Sequence, residues 1–338
     1  MAKGNIVTQR SLWRLEFFVV SLLFHLIFTW SIFDVYFHSP VVYPSRRFDA
    51  VNAVPDAPWT GDAPADRLVL IVADGLRADT LFQRHATASL PMWAQHAVQG
   101  DQLVYNGTFP DAFKRTKTVD GQASGPLYAY AAPYLRSIAR GPGVFGVSHT
   151  RVPTESRPGH VALIAGMYED MSAVSKGWKI NPLAFDSLVN QSSHSYAYGS
   201  PDIVPMFVLG TSPDKVDWQV YNEEAEDFTK DAVELDTWVL QRMRDVFARA
   251  QHDPKADARL RQPKTLFFMH LLGLDTTGHT YRPMSPEYVG NTIVVDEIVR
   301  QVSHLFEDFY GDNRTAFLVT ADHGMIDVPG DHRIMVED

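Results

Sequence analysis

A chain of 338 residues, 45% hydrophobic and 12% aromatic, has ample material for one large α/β domain, or two ordinary ones, around a real core. Its net charge of −10, with no cluster of Lys or Arg to offset it, argues against nucleic acid as a partner, because phosphate binding needs an accumulated positive field. Cysteine is absent, which excludes a disulfide framework and any thiolate metal site.

The first predicted element is FFVVSLLFHLIFTWSIF, residues 17–33, which carries no formally charged side chain. As a helix it covers roughly 26 Å, and Val35 to Phe37 extend it to bilayer thickness. The run exceeds the apolar part of a cleaved signal peptide and no A-x-A-like cleavage site follows it, so it predicts a transmembrane signal-anchor over residues 15–37. Lys3, Arg10 and Arg14 precede the span, whereas Arg46 and Arg47 follow only after a gap. That bias places residues 1–14 in the cytosol and everything beyond the span in a lumen. N-x-S/T triplets at Asn106, Asn190 and Asn313 fit glycosylation there.

Residues 38–65 are rich in Pro, Ala and Asp without periodicity and read as a linker to a domain over residues 66–338. RLVLIVADG, residues 67–75, is a continuous apolar run ending in Asp-Gly, the pattern of a fully buried parallel strand. TLFFMHLLGLD (265–275) and AFLVTADHG (316–324) repeat that grammar. Between them, residues 224–247 place Phe228, Ala232, Leu235, Val239, Met243 and Val246 at helical spacing. A second amphipathic helix is predicted over Glu287 to Phe309, with Val295, Ile298, Val302, Leu305 and Phe309 on one face. Residues 107–135 break the pattern with Gly, Pro and charges and read as a surface insertion. The alternation predicts an α/β fold with a mostly parallel sheet covered by helices on both faces.

In such sheets ligands collect beyond the carboxyl ends of the strands, so the polar clusters that end the three runs should meet. Alone, Asp74 reads as a turn residue, Asp322-His323 as a loop, and Asp275 with His279 as a helix cap and a surface imidazole. Together, carboxylates and imidazoles without cysteine are the ligand set of a Zn2+ or Mn2+ hydrolytic site. RVPTESRPGH, residues 151–160, adds two hydroxyls, Thr154 and Ser156, ahead of a helix. Ser156 reads as an N-cap, but a helix N-terminus also favours a phosphate, so capping and chemistry remain compatible.

These blocks, in this order, resemble the alkaline phosphatase superfamily: Asp after the first strand, a hydroxyl at a helix start, D-x-x-x-H, then D-H-G. SHTRVPTESRPGHVALIAGMYED, GWKINP, YGSPDIVPMF, LDTWV and HLLGLDTTGHTYRP narrow the resemblance to the GPI ethanolamine phosphate transferases that act on the first mannose. It covers roughly residues 10–325. The resemblance implies an alkaline-phosphatase-like fold and Ser156 as the nucleophile, with Thr154 second. It also implies two divalent cations, zinc with manganese as the alternative. Asp74, Ser156, Asp322 and His323 would hold one, and Asp275, His279 and a later histidine the other. After DHGM the likeness fades; His332 is the one histidine left for that role, and the multispanning C-terminal region expected of the family does not follow, so the domain reads as incomplete. The implied reaction transfers phosphoethanolamine from phosphatidylethanolamine to a GPI glycolipid intermediate through a phosphoethanolamine-serine, in the lumen at the endoplasmic reticulum membrane. A metal-dependent phosphodiesterase and a catalytically impaired, truncated lumenal protein are the competing readings.

Overall fold

The computed structural model describes residues 2–36, 63–86, 90–91, 98–99, 102–103, 128–150, 154–166, 187–209, 211–222 and 232–326. His332, the GWKINP stretch, Asn106, Phe228 and most of the expected linker and insertion lie outside them. The chain divides into two units, residues 1–44 with 168–181, and residues 45–167 with 182–338.

In the first unit, helix α1 spans Ala2–Tyr36. Its apolar stretch, Trp13–Asp34, has 22 residues and a mean hydropathy of 1.9, long and apolar enough to cross a bilayer. Phe17, Leu22, Phe28 and Trp30 are all exposed on it. Apolar side chains exposed all round a helix are the pattern that lipid solvates at no cost, whereas water would charge about 25 cal/mol for each Å².

The second unit is organised by a sheet of five strands: β1 (Arg67–Ala73), β2 (His194–Gly199), β3 (Val216–Val220), β4 (Thr265–Leu271) and β5 (Thr315–Thr320). Their order is β3-β2-β4-β1-β5, and every ladder is parallel. The sequence explains why. RLVLIVA and TLFFMHL are apolar at nearly every position because both of their faces are covered. Val69, Ile71, Phe267 and Met269 point into one core with helices α4 (Val233–Ala250) and α6 (Pro286–Tyr310). Leu70, Val72, Leu266 and Phe268 point into the other with Val161 and Ile164 of helix α3 (Ser156–Ala165). Phe247, Phe267 and Phe306 lock the first core, with ring centroids 4.7 Å apart for Phe267–Phe306 and 4.8 Å for Phe247–Phe306. Each edge-to-face pair adds about 0.5–1.5 kcal/mol beyond its area.

Helix α6 matches the helix predicted over Glu287 to Phe309, while α4 is described only from Val233, so the earlier part of that amphipathic pattern is untested. The end of the expected insertion is not at the surface. Residues 128–130 pair antiparallel with Arg84–Ala86, and Ala129 and Ala131 are fully buried against Val289 and Ile293. Helix α2 (Pro133–Arg140) follows, tied to α6 where the backbone amides of Tyr134 and Leu135 donate to the Asp296 carboxylate at 2.9 and 2.7 Å. The Gly, Pro and charges earlier in the segment made all of it look irregular, although its end packs closely.

Strand register positions the site. The ladder sets Val72 beside Thr320, so Asp74 and Asp322 each lie two residues beyond that last pair, and β4 places Leu271 next to Ala73 on the other side.

Candidate metal centre and nucleophile

Asp74 leaves the end of β1 fully buried, its backbone amide donating to the Leu271 carbonyl at 2.8 Å. The turn that follows needs Gly75. Its φ is +72°, and a Cβ there would lie 3.0 Å from the Asp275 Cα, so a glycine lets the Asp74 and Asp275 segments touch. The Tyr288 hydroxyl of α6 secures the turn by donating to the Gly75 carbonyl at 2.6 Å. Asp275 and His279 lie one turn apart on the short helix α5 (Gly273–Tyr281), with His279 Nε2 at 3.4 Å from Asp275 Oδ1.

Asp322 and His323 follow β5. Asp322 Oδ1 accepts from the backbone amides of His323 at 2.9 Å and Gly75 at 3.3 Å, so the β1 turn and the β5 end share one carboxylate. Gly159 on α3 permits the same crowding from the opposite side, since a Cβ there would sit 2.9 Å from the Asp322 Cβ and carbonyl oxygen. His323 Nε2 lies 3.3 Å from Asp74 Oδ1, 3.5 Å from Asp322 Oδ2 and 4.0 Å from Asp275 Oδ1.

Ser156 completes the cluster, its Oγ 3.5 Å from His323 Nε2. The capping reading of this serine fails: the N-cap position belongs to Glu155, which makes no side-chain cap bond, and Ser156 is the first helical residue. Its hydroxyl therefore turns toward the carboxylates, beside the positive end of α3. Thr154 is exposed and precedes the helix.

The electrostatics call for a cation. Asp74 Oδ1, Asp275 Oδ1 and Asp322 Oδ2 are buried without a hydrogen-bond partner. Burial, and after it the Asp275 charge, pushes the Asp74 carboxyl up to about 7; burial, then Asp74, does the same to Asp322. Burial also raises Asp275. His323 is pulled both ways, burial lowering it and the carboxylates of Asp322 and Asp74 outweighing that to raise it. Ligand atoms of Asp74, Asp275 and His323 lie within 4.8 Å of one another. Orphaned, mutually repelling carboxylate oxygens beside an imidazole fit a divalent cation of the Zn2+ or Mn2+ type.

Six of the expected residues, Asp74, Ser156, Asp275, His279, Asp322 and His323, come together; His332 is outside the described residues. Sequence reasoning overlooked His160 and His270, fully buried beneath the carboxylates and held neutral by burial, which lowers both to about 4. The available signal was an imidazole inside the otherwise apolar strand TLFFMHL.

Residues 172–338 match the family model described as type I phosphodiesterase / nucleotide pyrophosphatase. Over that stretch the chain is similar to this family. The matched stretch holds Asp275, His279, Asp322 and His323, while Asp74 and Ser156 precede it. The chain is 51% identical over 314 residues to GPI ethanolamine phosphate transferase 1 of Aspergillus fumigatus, covering 93% of this chain and 27% of that protein. It is 49% identical to the Neurospora crassa protein of the same name over 93% of this chain and 28% of that one. With the Saccharomyces cerevisiae protein the identity is 43%, over 92% and 29%. The chain thus spans less than a third of the length of these curated relatives.

Proposed function

We propose that this chain carries the catalytic centre of a phosphoethanolamine transferase of GPI-anchor assembly, with phosphatidylethanolamine as donor and the first mannose of a GPI precursor as acceptor. The observation that carries the reading is Ser156 Oγ standing 3.5 Å from His323 Nε2, over three carboxylates that each keep an unpartnered oxygen. Asp74, Ser156, Asp322 and His323 would hold one divalent cation, and Asp275, His279 and His332 a second. A zinc or manganese ion held there would neutralise charge on the phosphate and favour an ionised serine.

The chain's own groups account for the rest. Ser156 sits at the first turn of α3, where free backbone N–H groups and the positive helix end favour an incoming phosphate. Its hydroxyl gives up its proton as the oxygen forms the new P–O bond, the P–O bond to diacylglycerol breaks, and the leaving diacylglycerol oxygen takes up a proton in its place. The mannose hydroxyl then attacks phosphorus and releases the serine. Gly75 and Gly159 hold the three carboxylate segments close enough to act on one phosphate. The apolar helix α1 supports membrane attachment; with the membrane that of the endoplasmic reticulum and the residues after α1 in its lumen, exposed Asn313 would be available for glycosylation. A tether suits the reaction because both substrates are lipids.

A second reading, hydrolysis of the same serine intermediate by water, is favoured by the phosphodiesterase character of the matched model. Incubating the chain with phosphatidylethanolamine labelled in its headgroup, with and without the mannosylated glycolipid, separates the two. Label appearing in the glycolipid supports transfer. Free phosphoethanolamine as the sole product, with glycolipid present, would refute it.

A further inference from the structure

The YGSPD stretch at the end of β2 takes no part in the chemistry above, yet it ends against the site. Gly199 packs so tightly on β4 that a Cβ there would lie 2.5 Å from the His270 Cβ. The next amide, of buried Ser200, donates to His270 Nδ1 at 3.4 Å. On the far side of the ring, His270 Nε2 lies 3.0 Å from Asp74 Oδ2. His160 stands edge-on to the ring at 4.6 Å between centroids, itself fixed where its Nδ1 donates to the Ser156 carbonyl at 2.7 Å.

We infer that His270 is a positioning residue for Asp74, locked by Ser200 into the Nε2–H tautomer so that it occupies Asp74 Oδ2 and leaves Oδ1 as the oxygen that faces a cation. This rests on the two-cation reading of the site. The tautomer follows from chemistry. A backbone amide can only donate, so Nδ1 must present its lone pair, and in a neutral ring the proton is then on Nε2. A ring whose Nδ1 accepts from an amide cannot be doubly protonated, so it is neutral although the Asp74 carboxylate lies beside its Nε2. Of the two Asp74 oxygens, Oδ2 is occupied, whereas Oδ1 is buried without a hydrogen-bond partner and lies 3.3 Å from His323 Nε2. The same tautomer rules out the alternative that His270 is itself a ligand. Ligand atoms of Asp74, His160 and His270 do fall within 4.8 Å of one another, but coordination through Nε2 needs the lone pair that the proton occupies.

The arrangement couples two strands to the chemistry. Gly199 makes room for the imidazole, Ser200 sets its proton, and the ring then fixes one rotamer of a carboxylate on β1. Loss of an outer partner of this kind typically lowers metal affinity while leaving every direct ligand in place.

The test uses the full chain and zinc alone. With histidine labelled by 15N, a long-range proton–nitrogen spectrum of the metal-free wild type should show His270 protonated at Nε2. Zinc titration against a competing chelator should then find His270→Leu weaker by roughly 10–100-fold, and His270→Gln, whose amide can donate from near the Nε2 position, within about threefold of wild type. An Nδ1–H tautomer in the wild type would overturn the inference even if no variant folds. Equal zinc affinity in wild type and a folded His270→Leu would overturn this role alone. A wild-type chain that binds no zinc would overturn both the role and the two-cation reading beneath it.

Discussion

Replacing Gly75 with alanine tests whether the site depends on the close approach of the β1 and α5 segments. Two costs are separable. The backbone at φ +72° lies in the left-handed region, where a side chain costs about 1–2 kcal/mol. The added Cβ would also meet the Asp275 Cα at 3.0 Å, its Cβ at 3.3 Å and its amide nitrogen at 3.3 Å, and backbone atoms cannot swing aside as a side-chain tip can. Overpacking of that kind adds about 1–3 kcal/mol, for a total of roughly 2–5 kcal/mol. Gly166, the C-cap of α3, supplies the control, because its φ is +64° but a Cβ there meets nothing within 4 Å. Gly166→Ala should therefore lose only the backbone share, about 1–2 kcal/mol. Chemical unfolding of the two variants followed by circular dichroism measures the difference, and zinc titration should show weakened binding in Gly75→Ala alone. Equal destabilisation of the two, or unchanged zinc affinity in Gly75→Ala, would refute the contact argument.

Ser156→Ala should lower transfer from phosphatidylethanolamine by about 10³-fold or more, as removal of a nucleophile does, while Thr154→Ala keeps most of it; the opposite ranking in the labelled-headgroup assay would mean the wrong hydroxyl was chosen. The metal-free chain should melt at a higher temperature at pH 5 than at pH 8. Asp74, Asp322, Asp236 and Asp296 carry folded-state values of about 7, above their unfolded ones, so their contribution is complete at low pH and disappears as pH rises through that range. They outweigh His160 and His270, which burial lowers and which act in the opposite sense. Zinc should reverse the order by requiring Asp74 and Asp322 ionised, and a metal-free chain that melts higher at pH 8 contradicts the account. His279, with its side chain 60% exposed, should be dispensable to folding within about 0.5 kcal/mol. Yet His279→Ala should take bound zinc from about two per chain to about one, which elemental analysis would report.

The sheet and its polar edge were legible because buried parallel strands write themselves as unbroken apolar runs. RLVLIVA and TLFFMHL could be little else; Asp74 follows the first directly, and Asp275 comes four residues after the second. Helix α6 was legible because Val295, Ile298 and Val302 recur at helical spacing, and all three lie in the first core. Ser156 was half legible. Its helix was clear, but whether its hydroxyl caps depends on where the first turn starts, and the extended backbone of Glu155 decides that. His270 was hidden because period and composition treat it as an interruption in a strand, and only the register of β2 against β4 brings Ser200 to its ring. The packing of Ala129 and Ala131 was hidden because small residues give no periodic signal of their own.

Strand β5 lies at the rim of the sheet and leaves Phe317 and Leu318 partly open to solvent, yet Asp322 and His323 follow directly from it. A strand with one described neighbour frays more readily than an interior one, so each fraying event would carry Asp322 and His323 away from Asp74, Ser156, Asp275 and His279. A bound ion would act in the reverse direction as a rivet, slowing amide exchange along β5 more than along interior β4.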